Sequence, residues 1–284
     1  KAQFASGGFP QVWTKAVEDT VPRKAKFPDY DWKTEGRVKN YWDYPTLNDG
    51  LAGTVCEVLI TASEIYQDAK YKKSLLKLGD FLILAQMPAP QPGWCQQYNH
   101  DMIPIWARKF EPSAITGWES QDAMNTLITI ARYTGEKKYL EPIPAALEYF
   151  NKSLLPDGKV ARFYEFKTNK PLYMNAKYEL TYDDSAVPGH YGWKQPAHFK
   201  QIQSDYEAAK AGTPTIAKTR TTKQLEADVR RVLKELDSDA RWVSVYAGER
   251  LVGQPKFAPG FRYLSSDVFS RNVETLSEFL KTQK

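Results

Sequence analysis

The chain has only two cysteines, Cys56 and Cys95, and three histidines, His100, His190 and His198, among its 284 residues. A disulfide scaffold and a cysteine-based zinc site are therefore excluded, and Cys56 sits in an apolar helical stretch where a buried thiol is expected. No apolar run approaches the roughly 20 residues that span a bilayer; the longest, Phe81 to Ala85, is stopped by Asp80 and Gln86. A phosphate-binding glycine loop, a nucleophile elbow and a Cys-x-x-Cys pair are all missing, which removes the common nucleotide- and zinc-dependent chemistries. Residues Lys1 to Gly8 lack the basic and apolar segments of a secretory leader, so the compartment stays open on that ground. There is no one-signed charge block either: 39 Lys and Arg against 34 Asp and Glu give a net charge of +5, with bases scattered among acids. Nucleic-acid and membrane partners are not expected, and Arg230, Arg231 and the stretch Lys218 to Arg220 read as solvated charges.

What is present is a hydrophobic content of 42%, enough to exclude disorder. Leu51, Val55, Val58, Leu59, Ala62 and Ile65 recur at helical spacing, as do Leu75, Leu78, Phe81, Leu82 and Ala85. A second pair follows, with Ala123, Leu127, Ile130 and Ala131, then Ile143, Ala146, Leu147 and Phe150. Tyr66 and Tyr71 of the first pair correspond to Tyr133 and Tyr139 of the second, the pattern of a repeated helical hairpin. The expected fold is mainly α, an irregular α/α toroid of helical hairpins with short β-hairpins in its loops. Ser6 to Trp13 resembles the loop after a hairpin's second helix, so an N-terminal helical segment is expected to precede Lys1.

Beyond Gly158, Val160 to Phe166 and Pro171 to Tyr173 flank a polar turn and predict a β-hairpin. Helices are expected at Thr222 to Leu236, with Leu225, Val229, Val232 and Leu236 inward, and at Asp267 to Leu280, with Phe269, Val273, Leu276 and Leu280 inward. Gln195 to Thr221 shows no period and reads as a surface connection. The expected organisation is a catalytic region at 1–194 and an extension at 195–284 packed on the same domain.

Polar and aromatic residues gather in the loops Tyr41 to Gly50, Gly93 to Asp101 and Ile105 to Pro112. Aromatics beside amides, carboxylates and an arginine suit a sugar, whose apolar face stacks while its hydroxyls pair with planar polar groups. The residues themselves carry a resemblance: Asn48-Asp49 before a helix, Trp94-Cys95-Gln96-Gln97, Ala107 to Pro112 with Glu119-Ser120, Ala161 to Glu165, and Thr168 to Pro171. In that order, with Gly7 to Gln11 ahead of them, they resemble the pectate lyases of polysaccharide lyase family 10 over about Gly7 to Trp193. Lys170 stands where that family commonly has arginine, and Gly50 where it usually has asparagine.

The resemblance implies cleavage of polygalacturonate, an acidic polysaccharide, by β-elimination assisted by Ca2+. It puts Arg108 in the place of the catalytic base and Asp49 in that of a calcium ligand. Arg162, Lys170, Asn48, Gln97, Trp94 and Tyr164 become substrate-binding residues. It further implies a monomer working outside the cytoplasm, extracellular or periplasmic. Chemistry alone assigns Arg108 to charge stabilisation, because a guanidinium with a pKa above ~12 stays protonated. Two other readings stay open: a glycoside hydrolase using two carboxyl groups from among Asp43, Asp49, Glu111, Glu119 and Asp122, and a non-catalytic protein that binds acidic glycans.

Overall fold

Helical spacing in the first half is realised in the structure, a computed structural model that describes residues 1–13, 21–212, 220–249, 251 and 256–283. Helices α1 (Leu51–Tyr66) and α2 (Ala69–Ala85) form one hairpin, and α3 (Gly117–Thr134) and α4 (Ile143–Lys152) a second. The Asp68 side chain caps α2 by accepting from the Lys70 N–H at 2.9 Å. Gly135 closes α3 in the left-handed region, where a residue without Cβ meets no penalty. Helix α1 begins after Gly50, which has no side chain to cap with; Asp122 of α3 supplies the acceptor, taking the Gly53 N–H at 3.3 Å.

The strands are short: β1 (Trp94–Cys95), β2 (Ile115–Thr116), β3 (Val160–Ala161), β4 (Phe163–Tyr164), β5 (Pro171–Met174), β6 (Leu180–Thr181) and β7 (Lys194–Gln195). Five of them make an antiparallel sheet in the order β1-β2-β4-β5-β6, while β3 pairs with β7. The β4–β5 hairpin is the expected one, with Phe163 opposite Leu172 and the turn made by Lys167 and Asn169 at positive φ.

The expected α/α toroid is not what forms. In a toroid each hairpin buries its inner face against its sequence neighbours around a ring. Here α3 is a central post that touches α1, α2, α4 and also α5 (Phe199–Lys210), and several small antiparallel sheets stand beside the helices. The fold is an irregular mixture of helices and antiparallel strands. One physical reason is that α1 buries only Ala52 and Cys56; Val58 and Ile65, expected inward, are exposed, so its apolar residues do not build an inner wall. Another is Gly117, whose missing Cβ lets the start of α3 run against the Ala161 carbonyl and Val160, locking helix to strand.

The first compact unit runs Lys1–Pro214 and therefore contains α5. Its buried Phe199, Ile202 and Tyr206 correct the reading of Gln195 to Thr221 as a structureless connection; residues 213–219 of that stretch, with Lys218 and Thr219, lie outside the described residues. The core joins α2, α3, α4 and α5 through Leu75, Phe81, Leu127, Ile143 and Phe150, the last stacked on Phe199 at 5.1 Å. Cys56 and Cys95 are both buried and free, and burial first, with Glu57 and Asp122 nearby, pushes the Cys56 thiol up to about 12. Among the described residues no helix is long and apolar enough to cross a membrane.

The second unit, Thr215–Lys284, holds α6 (Thr222–Lys234), the β-hairpin of β8 (Val243–Val245) with β9 (Arg262–Leu264), and α7 (Ser266–Thr282). A capping box of Thr221 and Gln224 starts α6, and Leu225, Val229 and Val232 are its buried face, as expected, but the helix ends at Lys234, so Leu236 lies beyond it and is only partly buried. Helix α7 is turned the other way from expectation, with Asn272 and Thr275 buried and Phe269, Val273 and Leu280 exposed. Arg220 accounts for the rotation: it donates to Thr275 and pairs with Asp228 and Glu278, tying the polar side of α7 to α6.

Candidate functional site

Three backbone locks bring the polar loops together. The Leu47 N–H donates to the Gln96 carbonyl at 2.8 Å, and the Thr46 hydroxyl donates to that same carbonyl at 3.1 Å, so the Asn48–Asp49 turn is strapped to β1's continuation. Ala107 and Glu111 close a tight loop through Ala107 N–H to Glu111 O at 3.1 Å and Glu111 N–H to Arg108 O at 2.9 Å, which sets Arg108 and Glu111 face to face. Arg162 lies between β3 and β4, its N–H on the Trp193 carbonyl at 2.8 Å and its carbonyl holding the Gly117 N–H at 3.0 Å.

The side chains form one connected network. The Arg108 Nε donates to Glu111 Oε2 at 2.7 Å and its Nη2 pairs with Glu111 Oε1. The Arg162 Nη2 pairs with Glu119 Oε1 at 3.0 Å. Between them sits the Gln96 amide, whose Nε2 lies 3.3 Å from Glu111 Oε1, 3.2 Å from Glu119 Oε1 and 2.7 Å from Asn48 Oδ1. Tyr191 completes it, donating to Glu111 Oε1 at 3.3 Å while its ring lies 4.6 Å beneath the Arg162 guanidinium. The carboxylates are sealed in, with side-chain exposures of 1% for Glu111 and 0% for Glu119, whereas Arg108 is 36% exposed. Within this network the charge that reaches the surface is therefore that of Arg108.

The electrostatics follow. Hydrogen bonding to Glu111 raises the Arg108 pKa above its ordinary value, and Asp49 adds to that effect. Burial works to lower the Arg162 pKa, but the charges of Glu119, Glu111 and Asp49 outweigh it and the guanidinium stays charged. Burial pushes the Glu119 carboxyl up, and Arg162 pulls against it. Asp49 is exposed at φ 55° and makes no hydrogen bond or ion pair among the described residues, yet its field reaches both arginines. Several polar atoms of the network are buried without partners: Asn48 Nδ2, Gln96 Oε1, Glu119 Oε2 and Arg162 Nε.

Of the residues expected in the site, Arg108, Arg162, Asn48 and Asp49 are brought together. Trp94 and Tyr164 are not at the surface at all. The Trp94 ring is fully buried with Nε1 on the Leu82 carbonyl at 2.8 Å; Tyr164 donates to the Ser153 carbonyl at 2.6 Å and accepts from the Ala161 N–H at 2.9 Å. Both hold the loops from beneath. Gln97 is buried with Nε2 on the Tyr41 carbonyl at 3.3 Å, and Lys170 stands apart, its Nζ 5.1 Å from the Tyr182 ring. Gln96 and Tyr191 were not expected as site residues, and Glu111 and Glu119 only as carboxyl groups of the hydrolase reading. Glu111 and Glu119, two of the five carboxyl groups that the hydrolase reading could draw on, both lie against the Gln96 amide nitrogen, at 3.3 and 3.2 Å.

Asp122 sits one helical turn beyond Glu119, and burial first, then Glu119 and Glu57, push its carboxyl up to about 6 against the pull of the Gly53 N–H. A folded-state value above the unfolded one near 3.9 means that protonation favours the fold. That contribution is present below about pH 4 and is lost as pH rises through about 6. Asp122→Asn, which keeps the acceptor for α1, is expected to remove the loss and to stabilise the chain at pH 7.5 by at most about 3 kcal/mol. Thermal unfolding of both proteins at pH 4.5 and 7.5 checks this; equal pH dependence in the two would refute it.

No protein-family model matches the chain, and no curated protein matches it either. Among solved structures, it is similar to a family 10 polysaccharide lyase from Cellvibrio cellulosa, with a TM-score of 0.54 and 19% identity over 75% of this chain and 69% of that one. It is equally similar, at a TM-score of 0.54 and 19% identity over 74% and 69%, to a mutant of that lyase in complex with trigalacturonic acid. At this identity the likeness establishes a shared fold: the chain has the fold of a family 10 polysaccharide lyase.

Proposed function

We propose that the protein is a polysaccharide lyase that cleaves a polymer of uronic acid, of the polygalacturonate type, by β-elimination. The observation that carries the reading is the pair of permanently charged arginines, Arg108 and Arg162, each clamped by a buried carboxylate and joined through Gln96. The fold likeness supports it, as does the trigalacturonic acid bound by the Cellvibrio mutant.

Elimination removes the proton at C5, next to the uronate carboxylate. The electron pair left behind forms the C4–C5 double bond, the C4–O bond breaks, and the departing oxygen takes up a proton. Charge builds on the carboxylate as the C5 proton leaves, so cations fixed in place beforehand lower the barrier without reorganising. Arg162, stacked on Tyr191 and held by Glu119, would grip the carboxylate; Arg108, more exposed, would face C5. In the free chain Glu111 keeps Arg108 protonated, so a role as base requires the substrate to part that pair.

Calcium fits this site only with help from the substrate. Asp49 is a free surface carboxylate, but among the described residues no group of three or more His, Cys, Asp or Glu could hold a metal. Asp49 would be the protein's ligand, with uronate carboxylates supplying the others, and the ion would add positive charge opposite the reacting carboxylate. Such polymers lie outside the cytoplasm, and the proposal places the protein there.

Ultraviolet absorbance of unsaturated products on polygalacturonate, with calcium and with a chelator, tests the reading. A rise with calcium that the chelator removes is expected. New reducing ends without absorbance would point to hydrolysis, and neither signal would leave no catalytic function on this polymer.

A further inference from the structure

On the outer side of Arg108 lies a cleft of about 410 Å³ that the network described above does not use. Its lining is Arg37, Val38, Lys39, Tyr41, Ala107, Arg108 and Lys109. Four cations and one aromatic ring face this space. Among the described residues, Arg37, Lys39 and Lys109 form no ion pair, and Asp43, the nearest acid in sequence after Lys39, accepts from Asn40 instead. Among the described residues, Glu111 is the acid bonded to the lining, through Arg108, and the charge of Asp49 also reaches Arg108. Like charges set around one cleft repel one another, and an anion between them reverses the sign of that interaction.

The wall is built rather than accidental. The Val38 N–H donates to the Trp106 carbonyl at 3.0 Å and the Trp106 N–H to the Gly36 carbonyl at 3.2 Å, so the Arg37 segment is paired to the loop that carries Arg108. Gly36 is left-handed at φ +79°, with the Tyr30 ring where a Cβ would stand, which fixes the bend ahead of Arg37. Tyr41 is anchored through its carbonyl by Gln97 and packs edge-on against Trp42 at 5.1 Å between ring centroids. A cleft of this volume is in the range that takes one small-molecule unit.

We infer that this cleft is a second uronate subsite, in which Arg37 and Lys39 bind the carboxylate of a sugar farther along the same chain and Tyr41 stacks on that sugar's apolar face. The inference rests on the uronate reading of the Arg108 site and extends it: Arg108 lines both, so the polymer passes from the reacting position into the Arg37–Lys39–Tyr41 cleft. Affinity should then depend on length, rising by a step when an oligomer becomes long enough to fill the second position. One charge-assisted hydrogen bond sets the expected step at roughly tenfold or more.

The test titrates the full chain calorimetrically with galacturonate oligomers from dimer to hexamer, with calcium and with a chelator. Three proteins are compared: the wild type, Arg37→Ala with Lys39→Ala, and Lys72→Ala with Lys73→Ala. The last removes the same charge from the exposed face of α2. A step of about tenfold or more in the wild type and in the α2 variant, reduced to less than about twofold in the Arg37 and Lys39 variant, supports the subsite. An unchanged step in that variant overturns the subsite alone. An equal loss at every length, shared with the α2 variant, means general attraction between charges and also overturns it. If the wild type binds no oligomer at all, the uronate reading itself fails, and the subsite with it.

Discussion

Arg108→Ala is expected to lower the rate of unsaturated-uronate formation by about 10³-fold, the upper end of what one lost charge-stabilising donor removes, and also to lower unfolding stability, because it leaves the buried Glu111 carboxylate without its counter-charge. The side chain is partly exposed, so truncation opens no sealed cavity, although it leaves Glu111 with only Gln96 and Tyr191 as side-chain donors. Arg108→Lys divides the roles further, since lysine keeps the charge but cannot reproduce the two-pronged grip on Glu111. A pH profile separates base from charge stabiliser. If Arg108 is the base, only its neutral form reacts; with a pKa above about 12 that form is below roughly 1 part in 10⁴ at pH 8 and grows tenfold per unit. The rate would then climb through pH 10 without a plateau. Glu111→Gln would raise it further, because losing the hydrogen bond lowers the Arg108 pKa toward its ordinary value. If Arg108 stabilises charge, the profile levels off and Glu111→Gln slows the reaction by loosening the guanidinium. The measurement is kcat/KM against pH for the wild type and these variants.

How far such a site can be read from sequence depends on the kind of contact involved. Helices α1 to α4 were legible because apolar residues recur at three and four, a signal local to each helix. Helix α5 was not, since Phe199, Ile202 and Tyr206 are the few large apolar anchors among charged neighbours, and only α3 and α4 tell which face they cover. The toroid failed for a related reason: a repeated hairpin predicts two helix pairs but not what α3 meets on its other sides. In the site, Arg108, Arg162, Asn48 and Asp49 could be named from their resemblance to a family motif. Gln96 and Glu119 stand in the same motifs, but their roles, like that of Tyr191, are set by contacts between distant parts of the sequence, such as Arg162 with Glu119 and Gln96 with Tyr191, which no local pattern shows. Trp94 and Tyr164 erred the other way. An aromatic in a polar motif looks the same whether it faces a sugar or holds the loop from below, and their hydrogen bonds to Leu82 and Ser153 decide for the second.

Glu119→Leu is expected to be the most destabilising single change in the site, by about 3–5 kcal/mol, because it leaves the Arg162 guanidinium buried without its counter-charge. Side-chain exposures of 9% for Arg162 and 0% for Glu119 keep water from taking over that role, and the Arg162 Nε is already unpaired. Urea unfolding measures the loss. Adding Arg162→Met to Glu119→Leu removes the stranded charge and should recover most of the stability, since an apolar pair of similar volume often equals or exceeds a buried ion pair. Activity should not return with it. If the pair exists to stabilise the fold, the double variant would be as unstable as Glu119→Leu; if it exists to fix a cation beside Arg108, the double variant would be stable and inactive. The arrangement favours the second outcome. Glu119 spans Arg162 and the Gln96 amide, which in turn touches Glu111, so one buried carboxylate sets the position of both guanidinium groups. A fold that needed only cohesion at this point could have used leucine, as an apolar pair of similar volume often equals a buried ion pair in stability.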